Sequence, residues 1–344
     1  MLIIGHRDVR RVLDGAEDAV LAAVRHAYLR HSAGDTALPH SVFLRFPDNP
    51  HDRIIGLPGY LGGGEGRRPV AGLKWIASFP GNVPEGMPRA SATMILNSLL
   101  TGRPLAVLES ATISARRTAA SAALAAAALP GVPRDTGVSL VGCGVINAET
   151  LHFLRLTVPG LSEVTVFDLD RERAEAFAAR CARRYGAALT VRVVDRVESA
   201  LVAHRLVSVA TTAAVPHLDL APCRPGTLVL HLSLRDIRIP TVLAADNVVD
   251  DPDHVCRAAT SLHLAEQRVG HREFIRTTVG ALLRDPHPAP RAAERLTVFS
   301  PFGLGVLDLA VADLVLTGAH RAGLGVPVPD FLPDPEAEDL PSIP

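Results

Sequence analysis

The run Val138-Ser-Leu-Val-Gly142-Cys143-Gly144-Val145-Ile146-Asn147 limits what this chain can fold into more than any other segment. An apolar strand enters a glycine pair, and a helix-compatible stretch, Ala148 to Leu156, follows at once. The first glycine permits a tight turn, and the second lets the backbone approach a pyrophosphate whose charge meets a helix N-terminus. A second strand, Glu163 to Phe167, ends on Asp168, 26 residues beyond Gly142. There the dinucleotide-binding fold sets the acid that bonds the adenosine ribose hydroxyls. A carboxylate at that point repels a 2′-phosphate, so the pattern predicts NAD rather than NADP. Asn147 stands at the third fingerprint position, which predicts a wider helix–strand spacing or an amide bonded locally.

The alternation continues through a charged helix (Arg171 to Tyr185), a strand (Ala188 to Val194), a short helix near Ser199 and strands at Leu206 to Thr211 and Leu228 to Leu232. Strand and helix alternating at this length predict an α/β fold with a doubly wound parallel sheet. Thr211-Thr212 then fall at the carboxyl edge of the sheet, where their hydroxyls bond a cofactor or cap the next turn.

The first third reads differently. A helix is expected around Val20 to Tyr28 and short strands broken by prolines over Pro39 to Leu57, with Val42, Leu44 and Phe46 on one face and Phe43 and Arg45 on the other. Strands follow at Val70 to Ser78, Ser91 to Leu100 and Pro104 to Leu108. An alanine-rich helix, Ser114 to Leu129, is closed by Pro130-Gly131. The tail from Pro327, rich in proline and acids, predicts a loosely packed end.

Composition narrows the function classes. With 35 basic and 36 acidic residues the net charge is −1, which gives no field to attract a polyanion. The start lacks a basic leader before an apolar run, and the longest weakly polar stretch, Ala119 to Leu129, is too short to span a bilayer. Four scattered cysteines carry no zinc or disulfide spacing, so reduced thiols in a cytoplasm and no metal are expected. The 35 basic residues are 34 arginines and a single lysine, Lys74. A lone lysine is either a chance survivor or a residue held where a planar guanidinium does not serve.

Arg45, Lys74, Arg89 and Arg117 each lie among apolar or small residues, where a cation is costly unless it meets an anion. With few acids nearby in sequence, a carboxylate ligand is the natural partner; Arg116 reads as an ordinary surface arginine. Asp236 follows the strand that contains His231, at the carboxyl end where reacting groups collect, and is placed to exchange protons with an amine held over a nicotinamide ring. As a lone aspartate it reads more often as a helix cap or turn residue. Arg235 beside it holds a substrate carboxylate or neutralises the acid, and His231 reads as a packed strand residue.

The segments Leu44-Arg45, Gly72-Leu-Lys74-Trp, Thr101-Gly-Arg-Pro-Leu-Ala-Val-Leu, Ile113-Ser-Ala-Arg-Arg117-Thr-Ala-Ala, Gly142-Cys143-Gly144 and Val166-Phe-Asp168 together resemble the ornithine cyclodeaminase/μ-crystallin family over nearly the whole chain. The resemblance implies an α+β substrate-binding and dimerisation domain at 1–118, completed by 305–344, and an NAD-binding Rossmann domain at 119–304. Lys74-Trp-Ile-Ala-Ser-Phe-Pro, Met87-Pro-Arg-Ala-Ser-Ala, His231-Leu-Ser-Leu-Arg-Asp236 and Asn247-Val-Val-Asp-Asp251 look most like the branch that makes 2,3-diaminopropionate for siderophores and peptide antibiotics. That branch oxidises N-(2-amino-2-carboxyethyl)-L-glutamate with NAD, releasing 2-oxoglutarate and L-2,3-diaminopropionate.

Carried over by position, Arg45 and Lys74 bind substrate carboxylate, Arg117 sits between substrate and cofactor, and Asp236 is the acid/base. Arg89 and Arg235 add cations for a substrate with three carboxylates. Ser91, Thr211 and the Phe302-Gly303 turn match cofactor contacts, and the resemblance extends that set to Cys143, Val145, Ile146, Asn147, Thr212 and Ser233. Cyclodeaminases carry a Gly-Gly-Asp-x-Pro-Gly-Lys type segment; here Leu234-Arg235-Asp236-Ile-Arg-Ile-Pro240 has no lysine four residues after the acid. The rival expectations are an ornithine or lysine cyclodeaminase, a ketimine reductase, an alanine dehydrogenase and, from another class, a crystallin-like protein that binds nucleotide and ligand without turnover. A cytoplasmic homodimer is expected in the enzymatic cases.

Overall fold

In this computed structural model, residues 1–64, 66–129, 136–285 and 294–333 are described. Strands β1 (Leu2–Ile4), β2 (Thr36–Ala37), β3 (Val42–Phe46), β4 (Asn49–Leu61), β5 (Val70–Ser78), β6 (Ala90–Asn97) and β7 (Pro104–Glu109) form a first sheet in the order β1-β7-β6-β5-β4-β2, with β3 also on β4. The β1–β7 pair is parallel and the rest are antiparallel. The expected proline break falls at the turn that holds Pro47, between β3 and β4, while β4 itself runs on through Pro58. That residue falls between Gly56, where β3 stops pairing, and Tyr60, where β2 begins, so only β5 flanks it and its missing N–H disturbs no second ladder.

Register decides which side chains share a face. Arg45 stands opposite Arg53, which stands opposite Ser78, and Leu57 opposite Lys74 opposite Met94. Arg45, Arg53, Ser78 and Lys74 therefore lie on one face of the sheet, and Val42, Leu44 and Trp75 on the other. Helices α1 (His6–Leu13), α2 (Glu17–Ser32) and α3 (Ala111–Ala128) accompany this sheet. The many buried alanines of α3 let neighbouring helices approach closely, and the helix continues unbroken through residue 118.

The second sheet is built from β8 (Gly137–Val141), α4 (Val145–Thr157), β9 (Glu163–Phe167), α5 (Arg171–Tyr185), β10 (Thr190–Val193), α6 (Val197–Ala203), β11 (Leu206–Val209), β12 (Leu228–His231), α7 (Ile239–Ala244), β13 (Asp246–Val249), α8 (Pro252–Val255), α9 (Ser261–Val269), β14 (Ile275–Thr278), α10 (Val279–Arg284) and β15 (Thr297–Ser300). Its order is β10-β9-β8-β11-β12-β15-β13-β14, parallel throughout. The direction of winding reverses between β8 and β11, the switch point at which open α/β sheets bind ligands. Central strands β8, β11 and β12 are buried along their whole length, which is why they read as continuous apolar runs.

From β15 the chain returns to the first sheet. Helix α11 (Gly305–Ala322) packs on β4, β5 and α2, and β16 (Val326–Pro327) pairs with β1. The tail is thus tied at its start rather than loose from Pro327; residues beyond 333, and the expected Pro130-Gly131 helix stop, lie outside the described residues. Among the described residues no helix is long and apolar enough to cross a membrane.

Candidate active site

At the switch point Gly142 has a φ of 94°, and a Cβ there would collide with the carbonyl of Ala210 just past β11. The glycine therefore lets the two loops meet. Gly144 caps α4 with no side-chain partner for the first amides, and nothing stands within 4 Å of where its Cβ would be. An open, uncapped helix N-terminus fits a dinucleotide's pyrophosphate. Asp168 accepts the amide N–H of Cys143 (2.7 Å) and that of Asp170 (3.1 Å), which locks the ends of β8 and β9 together.

Val145 is exposed and Ile146 half-buried at the first turn of α4. Asn147 is fully buried behind the loop. Its amide donates to the carbonyls of Val141 (3.0 Å) and Gly142 (2.7 Å) and accepts from Ser208 (2.7 Å). The locally bonded amide is thus the alternative realised, and this side chain braces the glycine turn rather than facing a ligand.

Lys74 is 2 % exposed, and its ammonium donates to Asp308 Oδ2 (2.7 Å) and Ser114 Oγ (3.2 Å). Arg117 approaches from α3 and donates to the other Asp308 oxygen (3.1 Å) and to Ser114 (3.2 Å). The expectation that Lys74 lacks a protein carboxylate is corrected: α11 supplies one from 234 residues away. One buried acid still faces two buried cations, which leaves a net positive charge. Burial pushes the Lys74 ammonium down to about 8, and Arg117 adds to that push while Asp308 opposes it. Arg117 also abuts the turn after β15, where Gly303 has a φ of 90° and a Cβ would strike the guanidinium. Arg116, by contrast, is not a surface residue: it is buried and paired with Asp14.

Asp236 is fully buried, and its carboxylate accepts hydrogen bonds from Thr211 and from Ser233 (2.5 Å). The imidazole Nε2 of His231 lies 3.2 Å from the same carboxylate, and its Nδ1 lies 3.0 Å from Ser300 Oγ. Burial raises the Asp236 pKa, but the contacts with His231, Ser233 and Thr211 outweigh it and hold the carboxyl below its ordinary range. The Thr211 and Ser233 hydroxyls, expected at the cofactor, thus point to Asp236, and His231 is its partner rather than inert packing. Thr212 is exposed. Ser91 is exposed too, and by register it shares the sheet face of Ala77, opposite to Lys74.

Arg45, Arg89 and Arg235 all lie close enough to Arg53 for their charges to act on it. Arg53 is pushed down to about 10, first by burial and then by the charges of Arg235, Arg89 and Arg45. Its Nε is buried without a hydrogen-bond partner. Arg89 donates to Ser78 (2.7 Å) and Arg235 to the carbonyl of Ala258 (2.7 Å). Among the described residues none of the four makes an ion pair with a carboxylate. Like charges facing one another across a ladder are destabilising, so this cluster is arranged for an anion.

Sequence reasoning overlooked Asp308, Arg53, the His231–Asp236 contact and Asp250, whose carboxylate accepts the backbone N–H groups of Phe302 (2.8 Å) and Gly303 (2.7 Å). A signal existed for the first: Asp308 is a lone acid inside the apolar run Gly-Val-Leu-Asp308-Leu-Ala-Val. Among the described residues no cluster of His, Cys, Asp and Glu is placed to hold a metal ion.

Residues 8–322 match the sequence profile of the ornithine cyclodeaminase/mu-crystallin family. The N-((2S)-2-amino-2-carboxyethyl)-L-glutamate dehydrogenase of Staphylococcus aureus is 25 % identical over 94 % of this chain and 97 % of its own. A solved archaeal alanine dehydrogenase, a dimer with bound NAD, is 26 % identical with a TM-score of 0.83, covering 96 % of this chain and 99 % of the other. The fold is shared with the Thermococcus litoralis Δ1-pyrroline-2-carboxylate reductase solved with NADH and L-proline (TM-score 0.86, 23 % identity, covering 95 % of this chain and 100 % of the other).

Proposed function

Because the chain is an NAD-dependent enzyme of the ornithine cyclodeaminase/mu-crystallin family, we propose that it oxidises and hydrolyses N-(2-amino-2-carboxyethyl)-L-glutamate to 2-oxoglutarate and L-2,3-diaminopropionate. The product suits siderophore or peptide-antibiotic assembly. The observation that carries this reading is the cluster of Arg45, Arg53, Arg89 and Arg235 without a carboxylate partner. A substrate with three carboxylates supplies what the cluster lacks; ornithine or lysine, with one carboxylate and a second ammonium, does not. Pro240 in place of the cyclodeaminase lysine points the same way.

Gly142, Gly144 and the first amides of α4 hold the NAD pyrophosphate and Asp168 the ribose, and bound NAD supplies the two-electron acceptor. The chain's own groups do the rest. Lys74 and Arg117 present the net positive charge left over by Asp308 to a substrate carboxylate. Asp236, kept ionised by its donors, takes the N–H proton as the secondary amine becomes an imine. Water adds across the C=N bond, and as the carbinolamine collapses to ketoacid and amine Asp236 returns its proton to nitrogen and takes the hydroxyl proton.

Incubating the enzyme with NAD and the synthetic tricarboxylate amine, with NADH absorbance and product masses as readouts, tests the reading. Stoichiometric NADH, 2-oxoglutarate and diaminopropionate are expected. Turnover of ornithine or lysine to a cyclic product without net NADH, or tight NAD binding with no product from any amine, overturns it.

The chain also works as a homodimer in this reading. Val42, Leu44 and Trp75 lie on the outer face of the first sheet at 64, 44 and 44 % exposure, an apolar surface suited to a second copy.

A further inference from the structure

A cavity of about 180 Å3 lies beside the arginine cluster, lined by Phe43 and Arg45 of β3, by His254 of α8, by Arg257 and Ala258 in the loop after it and by Phe302 in the turn after β15. Its size suits a short carboxylate arm rather than a whole substrate. Arg45 and Arg257 are its two cations, and among the described residues neither forms an ion pair with a carboxylate. The aromatic rings of Phe43 and Phe302 provide walls for methylene groups.

The backbone beside Arg257 is strained. Ala258 and Ala259 have φ of 52° and 54°, the left-handed region that favours glycine and costs a residue with a Cβ. The loop is pinned there: Arg235 donates to the Ala258 carbonyl (2.7 Å), the Ala259 amide donates to His263 Nδ1 (3.2 Å), and Thr260 Oγ1 donates to the carbonyl of Val255 (2.5 Å). A third left-handed residue, Leu234 (φ 69°), precedes Arg235, and its carbonyl accepts the amide N–H of Ser261 (2.8 Å). Strain of this kind persists where the surroundings over-determine it, and here all of it flanks the link from Arg235 to the Arg257 loop.

We propose that this cavity is the subsite for the remote carboxylate of the substrate and that Arg257 is its specificity-determining residue. The glutamate side-chain carboxylate lies between Arg257 and Arg45, and its methylenes pack on Phe302 and Phe43. The Arg235–Ala258 bond couples the subsite to the loop that carries Asp236, so a substrate lacking the remote carboxylate leaves two guanidinium groups facing each other unpaired. This rests on reading the site as one for a polycarboxylate amine.

The test is binding of 2-oxoglutarate and of 2-oxovalerate, which has a methyl group where the remote carboxylate stands, to NADH-loaded protein by calorimetry. A charge-assisted hydrogen bond predicts that the wild type prefers 2-oxoglutarate by about 10- to 100-fold. Arg257→Leu is expected to cut that preference at least about fivefold, Arg45 keeping the remainder, with the 2-oxovalerate Kd unchanged, which also reports an intact fold, and Arg257→Lys to keep more of it. No preference in the wild type, a preference as large in Arg257→Leu as in the wild type, or equal loss of both ketoacids in both variants overturns the proposal. The two readings fail separately. Arg257-dependent preference without oxidation of the tricarboxylate amine sinks only the proposed reaction, and oxidation without such preference sinks only the subsite.

Discussion

Arg53 and Arg45 face each other across the β3–β4 ladder, with Arg89 and Arg235 close enough to depress the Arg53 pKa. The free protein carries this repulsion so that an anion finds its charges already assembled. Removing one member therefore has opposite effects on stability and on binding. Arg53→Met is expected to raise the urea midpoint, equivalent to about 1 kcal/mol, while raising KM for the tricarboxylate amine at least about tenfold. A variant that is less stable than wild type, or that keeps the wild-type KM, contradicts the assignment. Lys74 shows what can be read at this scale and what cannot. Its singularity is visible in composition and its place in a strand is visible in pattern. Its partner Asp308 is not, because an ion pair closed over 234 residues leaves no local trace in the sequence.

The turn after β15 shows how elements far apart in the chain position one another. Asp250, directly after β13, accepts the amides of Phe302, Gly303 and Asp251, which fixes the turn that meets Arg117 and walls the cavity. Burial pushes the Asp250 carboxyl up to about 6 against those three donors. The folded-state pKa thus lies above the ordinary value of 3.8, and the folded protein keeps a proton between about pH 4 and 6 that the unfolded chain has lost. This contribution to stability is full below about pH 4 and is lost as pH rises through about 6, a decline of about 3 kcal/mol at 1.36 kcal/mol per unit. Asp251, held down to about 2 against burial by its hydrogen bond to His31, slopes the opposite way, so the measurement is a comparison. Urea unfolding across this range is expected to show the decline in wild type and not in Asp250→Asn; parallel curves exclude it. Strands β8, β11 and β12 are legible as buried apolar runs. The strands β13, β14 and β15, as short as β11 and β12, are not, since polar residues (Asp246 and Asn247, Arg276 with Thr277 and Thr278, Thr297 and Ser300) interrupt the apolar pattern in each.

At the scale of the molecule, two sheets with different rules meet at one cleft. The parallel sheet is covered on both faces and is recognisable from its continuous apolar strands. The first sheet has one face toward Lys74, α3 and α11 and one face open, and its alternation tells which residues share a face without telling what covers them. Val42, Leu44 and Trp75 share that open face by register, and Leu105 and Ile3 extend it across β7 and β1 at 43 and 42 % exposure. An apolar face spanning several strands is not stable as bare surface in a chain whose other large side chains are mostly buried. In the proposed homodimer a second copy presenting the same face in a two-fold arrangement would cover it with matching residues. Leu44→Glu with Trp75→Glu is expected to convert a dimer to a monomer by sedimentation or light scattering, because each charge would be buried twice across such an interface. Leu44 flanks Arg45 on β3, so loss of the partner loosens the strand that carries one side of the anion site. The monomer is therefore expected to keep NAD affinity, which rests on the other sheet, while its KM for the amine rises. A wild-type protein that is monomeric at micromolar concentration, or a double variant that remains dimeric, rules out this face as the interface.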